Sequence, residues 1–169
     1  IDKANSQTLY LGFTNGAGIY KSTNGGANWT AANAGLANED AKSVYRIEID
    51  RNTPSTLYAA TAEGLYKSTD SAATWILVYS ALDSGGKLLG VSNVRLNPSN
   101  SQEIYLANSH TDPNGTLLAS SGIQKSTNGG LTWTNVLPGK RVENMRVLQG
   151  GVVYAGLSDG AGQPAVRRS

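Results

Sequence analysis

The strongest constraint on this chain is a turn that its sequence writes three times. Ser22 to Trp29 reads STNGGANW, Ser68 to Trp75 reads STDSAATW, and Ser126 to Trp133 reads STNGGLTW. Each copy follows a similar segment, GIYK at 18–21, GLYK at 64–67 and GIQK at 122–125. A second anchor is a tyrosine ending a short apolar run, at Tyr10, Tyr58, Tyr105 and Tyr154, with spacings of 48, 47 and 49 residues. A period this even means one supersecondary unit used repeatedly, stacked so that neighbours bury what one unit leaves exposed.

The unit can be read strand by strand from its second copy. Val44 to Ile49 alternates branched apolar and polar residues, as a half-buried strand does. A loop over 50–55 leads to Leu57-Tyr58-Ala59-Ala60, and a turn at 62–64 leads to Leu65-Tyr66-Lys67. The repeated turn then hands over to Trp75-Ile76-Leu77-Val78. Four short strands in about 45 residues are one propeller blade. The expected fold is therefore all-β: a single β-propeller domain over 1–169, in approximate blades 1–42, 43–91, 92–143 and 144–169. Ile1-Asp2 aligns with Ile49-Asp50, and Val166 to Ser169 aligns with Ile19 to Ser22. That phasing gives 14 strands, about three and a half four-stranded blades, and an expected fragment or open array.

The repeated turn resembles the Asp box, Ser-x-Asp-x-Gly-x-Thr-Trp, of sialidases, the sortilin ectodomain, photosystem II assembly propellers and family 74 xyloglucanases. The resemblance implies structural roles for Ser22, Asn24, Gly26 and Trp29, for Ser68, Asp70 and Trp75, and for Ser126, Asn128, Gly130 and Trp133. Asn24 and Asn128 stand where the motif has Asp, and Ser71-Ala72 stand where the other copies have two glycines. Asn keeps the acceptor oxygen that the turn amides need, so the hairpins should survive, with each Trp buried between blades. The sialidase nucleophile pair and Arg-Ile-Pro signature are absent, so the resemblance implies no such activity here.

Composition narrows function mainly by exclusion. There is no Cys and a single His, His110, which leaves no disulfide, no thiolate and no multi-imidazole metal centre. The formal net charge of +2 comes without a basic block, so no nucleic-acid partner is expected. No apolar run approaches the roughly 18 residues of a membrane span.

Candidate sites fall in loops on a rigid scaffold. In a propeller, the segments 31–42, 79–90, 108–122, 137–144 and 158–164 share one face, opposite the repeated turns. His110 and Asp112 form an acid–base or weak metal pair in one reading, and a solvated Asp-Pro-Asn-Gly turn in the other. Glu39, Asp40, Asp83 and Glu143 are the acids from which a glycosidase pair would come, although no shared spacing links them. Arg46, Arg95 and Arg146 repeat at one place in three innermost strands, as an anion-binding ring or as partners of acids such as Glu48. Tyr79 is the one tyrosine outside a repeated or strand position, and Phe13 reads as core.

The resulting expectation is a non-catalytic, secreted or cell-surface binding or scaffold module, without cofactor or metal. Its loop face takes a protein or glycan ligand, and its open blade edges allow self-association. Arg46, Arg95, Arg146, His110, Asp112, Tyr79 and Asp83 are the ligand-binding candidates. The alternative is a fragment of a family 74-like glycoside hydrolase whose catalytic residues lie elsewhere.

Overall fold

The computed structural model describes residues 1–158 and, as backbone, 164–168. The expected loop over 158–164, save its two ends, and the Ser169 end of the last repeat lie outside the described residues. Four antiparallel sheets follow one another along the chain. The first holds β1 (Leu9–Phe13), β2 (Gly18–Ser22) and β3 (Thr30–Ala31). A four-residue helix, α1 (Glu39–Lys42), then leads into the second: β4 (Val44–Ile49), β5 (Leu57–Thr61), β6 (Leu65–Ser68) and β7 (Ile76–Tyr79). A small hairpin of β8 (Ala81–Leu82) and β9 (Leu88–Leu89) precedes the third sheet. That sheet comprises β10 (Asn93–Asn97), β11 (Asn100–Asn108), β12 (Gly122–Ser126) and β13 (Thr134–Pro138). The fourth comprises β14 (Arg141–Val147), β15 (Val153–Ser158) and β16 (Pro164–Arg168). Strand order in every sheet is sequence order, and the leading strands β4, β10 and β14 stand side by side, with β1 beside β4.

Burial explains why the second strand of each unit reads as a continuous apolar run. β5 is buried along its whole length because sheets cover both of its faces, whereas the outer strand β7 is half exposed. The apolar residues form three layers, each between two successive sheets. Ile19, Val44, Leu57 and Trp75 belong to the first layer; Tyr58, Leu65, Val94 and Leu106 to the second; Tyr105, Ile123, Met145 and Val153 to the third.

The three repeated turns share one hydrogen-bond network. In each, the serine hydroxyl accepts the backbone N–H four residues on at 2.9 Å, from Gly26 to Ser22, Ala72 to Ser68 and Gly130 to Ser126. In each, Oδ1 of the Asx residue accepts the N–H four residues on, also at 2.9 Å, from Asn28, Thr74 and Thr132. Asn24 and Asn128 therefore replace a carboxylate with no change in this geometry. The third position differs only in polarity: Thr74 donates to Asp70 at 2.6 Å, whereas Asn128 donates to Thr132 at 2.8 Å. The turn needs two residues at positive φ, supplied by Gly25-Gly26 and Gly129-Gly130 in the outer copies. In the middle copy Ser71 (φ 60°) and Ala72 (φ 67°) adopt it, and they alone do so among the described non-glycine residues.

The second and third turns also lock onto the preceding sheet. Ser71 carbonyl oxygen accepts from Tyr10 at 3.4 Å and from Lys21 Nζ at 2.8 Å. Gly129 carbonyl oxygen accepts from Tyr58 at 3.3 Å and from Lys67 Nζ at 2.9 Å. Tyr and Lys are direct cross-strand partners in both sheets, and each ammonium lies over its tyrosine ring. At the third interface Tyr105 donates to Gly151 instead, and Lys125 pairs with Glu103. The indoles reach back the same way: Trp75 Nε1 donates to Ala32 at 3.0 Å and Trp133 Nε1 to Val78 at 3.3 Å.

Two burial expectations are corrected. Only Trp75 is fully buried, at 2% exposure, while Trp29 and Trp133 are half-buried. Trp29 has no carbonyl partner among the described residues, and Trp133 splits its N–H between Val78 and Gly130, lying edge-on to Tyr79. Phe13 is 40% exposed rather than core, because it ends β1 at the turn into β2.

Truncating Trp75 to Ala should cost about 3–5 kcal/mol in denaturant unfolding, and Trp29→Ala distinctly less. Ser71→Gly should stabilise the fold by on the order of 0.5–1 kcal/mol, since relief of the left-handed conformation outweighs the flexibility gained in the unfolded chain. Asp70 is the titratable member of the three turns, and its bonds from Thr74 and Ser68 lower its pKa from 3.8 to about 2. Its contribution is thus present above pH 3.8 and lost as pH falls towards 2. Asp70→Asn should flatten the acid limb of thermal stability measured across that range.

Candidate functional site

The two ends of the sheets differ in chemistry. The repeated turns sit beside the N-terminal ends of β1, β5 and β11, as shown by N–H to carbonyl bonds from Gly25 to Gln7, Ser71 to Ser55 and Gly129 to Gln102. The other end gathers the β1–β2 turn, α1, the β5–β6 turn, the β8–β9 hairpin and the 108–122 segment. Several contacts tie this loop face together. Asn38 caps α1 by accepting from Ala41 at 2.8 Å and donates to Glu63 at 2.9 Å, and Glu63 also accepts from the Tyr66 hydroxyl. Burial, and then Glu63, drives the Tyr66 pKa upward.

Most acids of this face have structural partners. Asp83 accepts from Gly85 and Lys87 N–H groups at 2.8 Å each, closing the β8–β9 hairpin. Asp40 pairs with Lys87 at 3.2 Å, and Glu143 accepts from Ser158 at 2.7 Å. Asp112 accepts from Asn114 and Thr116 N–H groups, so it forms the turn of the 108–122 segment. His110 instead turns inward to the Gly90 carbonyl, and burial pushes its pKa down. The structure therefore gives His110 and Asp112 separate partners. Among the described residues no group of three or more His, Cys, Asp or Glu is placed to hold a metal ion.

The aromatic residues exchange the places that the sequence implied. Tyr79 is half-buried, 5.4 Å from Trp133 in an edge contact, and its hydroxyl accepts from Asn108 at 3.2 Å. It is no free platform. Tyr45 is 51% exposed, because the β4–β5 register skips it between the pairs Val44–Thr61 and Arg46–Ala60. Such a bulge re-aims the extra side chain. Tyr45 thus projects from the loop-face end of β4, directly after α1. Period-two reading hid this, since an extra residue in a ladder leaves no trace in the residue alternation.

At the opposite end, near the shared line of leading strands, lies a cavity of about 450 Å³ lined by Arg46, Arg95, Arg146, Arg51, Glu48 and Asp50, among others. All three arginines line this space, but they do not share one register: Arg95 and Arg146 stand opposite Tyr105 and Tyr154, whereas Arg46 stands opposite Ala60 and Glu48 takes the matching place opposite Tyr58. Arg95 is held twice, donating through Nε to Met145 carbonyl at 3.1 Å and through Nη1 to Glu48 at 3.3 Å. Arg46 Nε lies 3.7 Å from the same carboxylate and makes no hydrogen bond. Arg146 is exposed. Burial raises the Glu48 pKa, and Arg46 and Arg51 draw it back. Arg51 was not among the sequence candidates because it lies in the loop after β4, outside the strand position that Arg95 and Arg146 share.

No protein-family model matches the chain, and comparison with the curated proteins finds no match. Solved structures do. A GH74 enzyme from Niastella koreensis has a TM-score of 0.71 and 28% identity, over 99% of this chain and 27% of its own. The GH74 xyloglucanase from Xanthomonas campestris has a TM-score of 0.68 and 19% identity, over 98% of this chain and 27% of its own. The extracellular domain of a two-component system protein from B. thetaiotaomicron has 0.69 and 15%, over 98% of this chain and 20% of its own. This chain forms part of a β-propeller. It spans 20–27% of the length of those structures, so each sheet is a blade within an arc. Among the described residues no helix is long and apolar enough to cross a membrane.

Proposed function

We propose that this arc is a non-catalytic glycan-binding scaffold of an extracytoplasmic, GH74-like propeller protein, and that its three turns are Asp boxes in which Asn substitutes for Asp twice. The supporting observation is Tyr45, which the bulge in β4 sets on the loop face at 51% exposure. An exposed aromatic ring held by a strand is a rigid amphipathic platform for the apolar face of a sugar. Phe13, edge-on to Tyr20 at 5.6 Å, adds a second exposed ring at the same end of its own blade. The 28% identity to the Niastella GH74 enzyme across nearly the whole chain, with a GH74 xyloglucanase among the similar structures, favours a β-glucan of xyloglucan type as the ligand. A second reading, a catalytic segment of such an enzyme, draws on the same identity. It has less support, because Asp83, Asp112, Asp40 and Glu143 are engaged in turns, an ion pair or a serine contact.

Titration of the protein with xyloglucan oligosaccharides by calorimetry tests the proposal. Tyr45→Ala should weaken binding about tenfold, or roughly 1.4 kcal/mol, while Tyr79→Phe leaves it unchanged. Equal binding by wild type and Tyr45→Ala overturns the platform assignment. Release of reducing ends that Asp40→Asn or Glu39→Gln abolishes moves catalysis into this arc.

A further inference from the structure

The loop-face proposal leaves the arginine-lined cavity without a task. We propose that this cavity is a binding site for a small doubly charged oxyanion, held by Arg46, Arg95 and Arg146 on three adjacent leading strands. It opens toward the 50–52 and 97–101 segments rather than the loop face, and does not rest on the glycan reading.

Charge is the first argument. Four arginines line the space against two carboxylates, an excess of two positive charges in about 450 Å³, which equals the formal net charge of the entire chain. One of those carboxylates, Asp50, is already committed, accepting from Asn52 N–H at 2.8 Å and from Ser101 Oγ at 2.6 Å. Glu48 alone serves both Arg46 and Arg95. Clustered guanidinium groups with so few counter-charges raise one another's electrostatic energy, and an entering anion relieves it.

Register supplies the second argument. Opposite the repeated tyrosines Tyr58, Tyr105 and Tyr154 stand Glu48, Arg95 and Arg146, while Arg46 stands opposite Ala60, two residues earlier on its strand. One position of the leading strands thus carries a carboxylate once and a guanidinium twice, and Arg46 adds a third cation on the same face of β4 as Glu48.

Donor geometry supplies the third. Arg95 is fixed by Met145 and Glu48, which presents the rest of its planar fork in one orientation. Arg46 retains a buried Nε with no hydrogen-bond partner. Arg146 has no ion-pair partner among the described residues and remains exposed at the cavity. Guanidinium groups in this arrangement match an oxyanion presenting two or more acceptor oxygens, and the volume admits a dicarboxylate or a phosphate.

The experiment measures thermal stability and calorimetric binding with succinate and with inorganic phosphate, against sodium chloride at equal ionic strength and against a neutral sugar. At least one of the two anions should raise Tm beyond the chloride control, and the arm that does so identifies carboxylate or phosphate chemistry. Arg146→Gln should weaken binding at least tenfold while leaving the anion-free Tm unchanged, because this side chain makes no contact that the fold needs. Glu48→Gln, which removes the competing carboxylate, should tighten binding severalfold. Lys140→Gln makes the same charge change on the loop face and should have no effect. The proposal is overturned if both anions act no differently from chloride, or if Arg146→Gln and Lys140→Gln weaken binding equally. The second outcome would reduce the effect to net charge.

Discussion

A carbonyl oxygen at the crown of a turn, gripped by a tyrosine and a lysine of the neighbouring sheet, is the contact on which the arc depends. Hydrophobic burial alone would let one blade slide over another, because apolar contact is non-directional. The bonds from Tyr10 and Lys21 to Ser71, and from Tyr58 and Lys67 to Gly129, fix the distance and rotation of the first three blades. They also explain the positive φ values at the crown, where the backbone must turn outward to present the carbonyl. The middle turn does this with serine and alanine, so the inter-blade geometry is retained at the expense of local strain.

Much of this architecture was legible in the sequence, because repetition makes weak signals additive. One Ser-x-Asn-Gly-Gly turn would be a hairpin signal and nothing more, whereas three copies in phase with four tyrosines fix strand number and order. Asn for Asp was readable as harmless, since the turn uses one side-chain oxygen and does not require its charge. The clasping lysines were visible as a repeated letter, but their task was not. Lys21 and Lys67 act across an interface that no single blade contains. Incomplete burial of Trp29 and Trp133 had the same origin, because exposure there depends on the neighbouring surface.

The sites were less legible for a different reason. Function here depends on departures from the repeat, and a period is blind to its own exceptions. Tyr45 looked like an ordinary strand residue until the bulge placed it outside the ladder, and Tyr79 looked free until Trp133 and Asn108 took it. His110 and Asp112 were neighbours in sequence, yet the loop turned one inward and the other into its own bend. The arginines were a partial exception: all three reach one cavity, although Arg46 stands two residues out of register with Arg95 and Arg146.

The three apolar layers bear on how the chain comes to be folded at all. The first draws on residues from Ile19 to Trp75, the second on Tyr58 to Leu106 with Trp133 packed beside it, and the third on Tyr105 to Leu157. Each is complete when the strands of two consecutive blades, and at most the following turn, have been made. A ribosome emitting this chain from its N-terminus would therefore release foldable pieces in order, each new blade closing against one already formed. The long-range pairing that slows many β proteins is replaced by a succession of local ones. An architecture assembled in such increments can also be lengthened by duplicating a segment, with no need to redesign what precedes it.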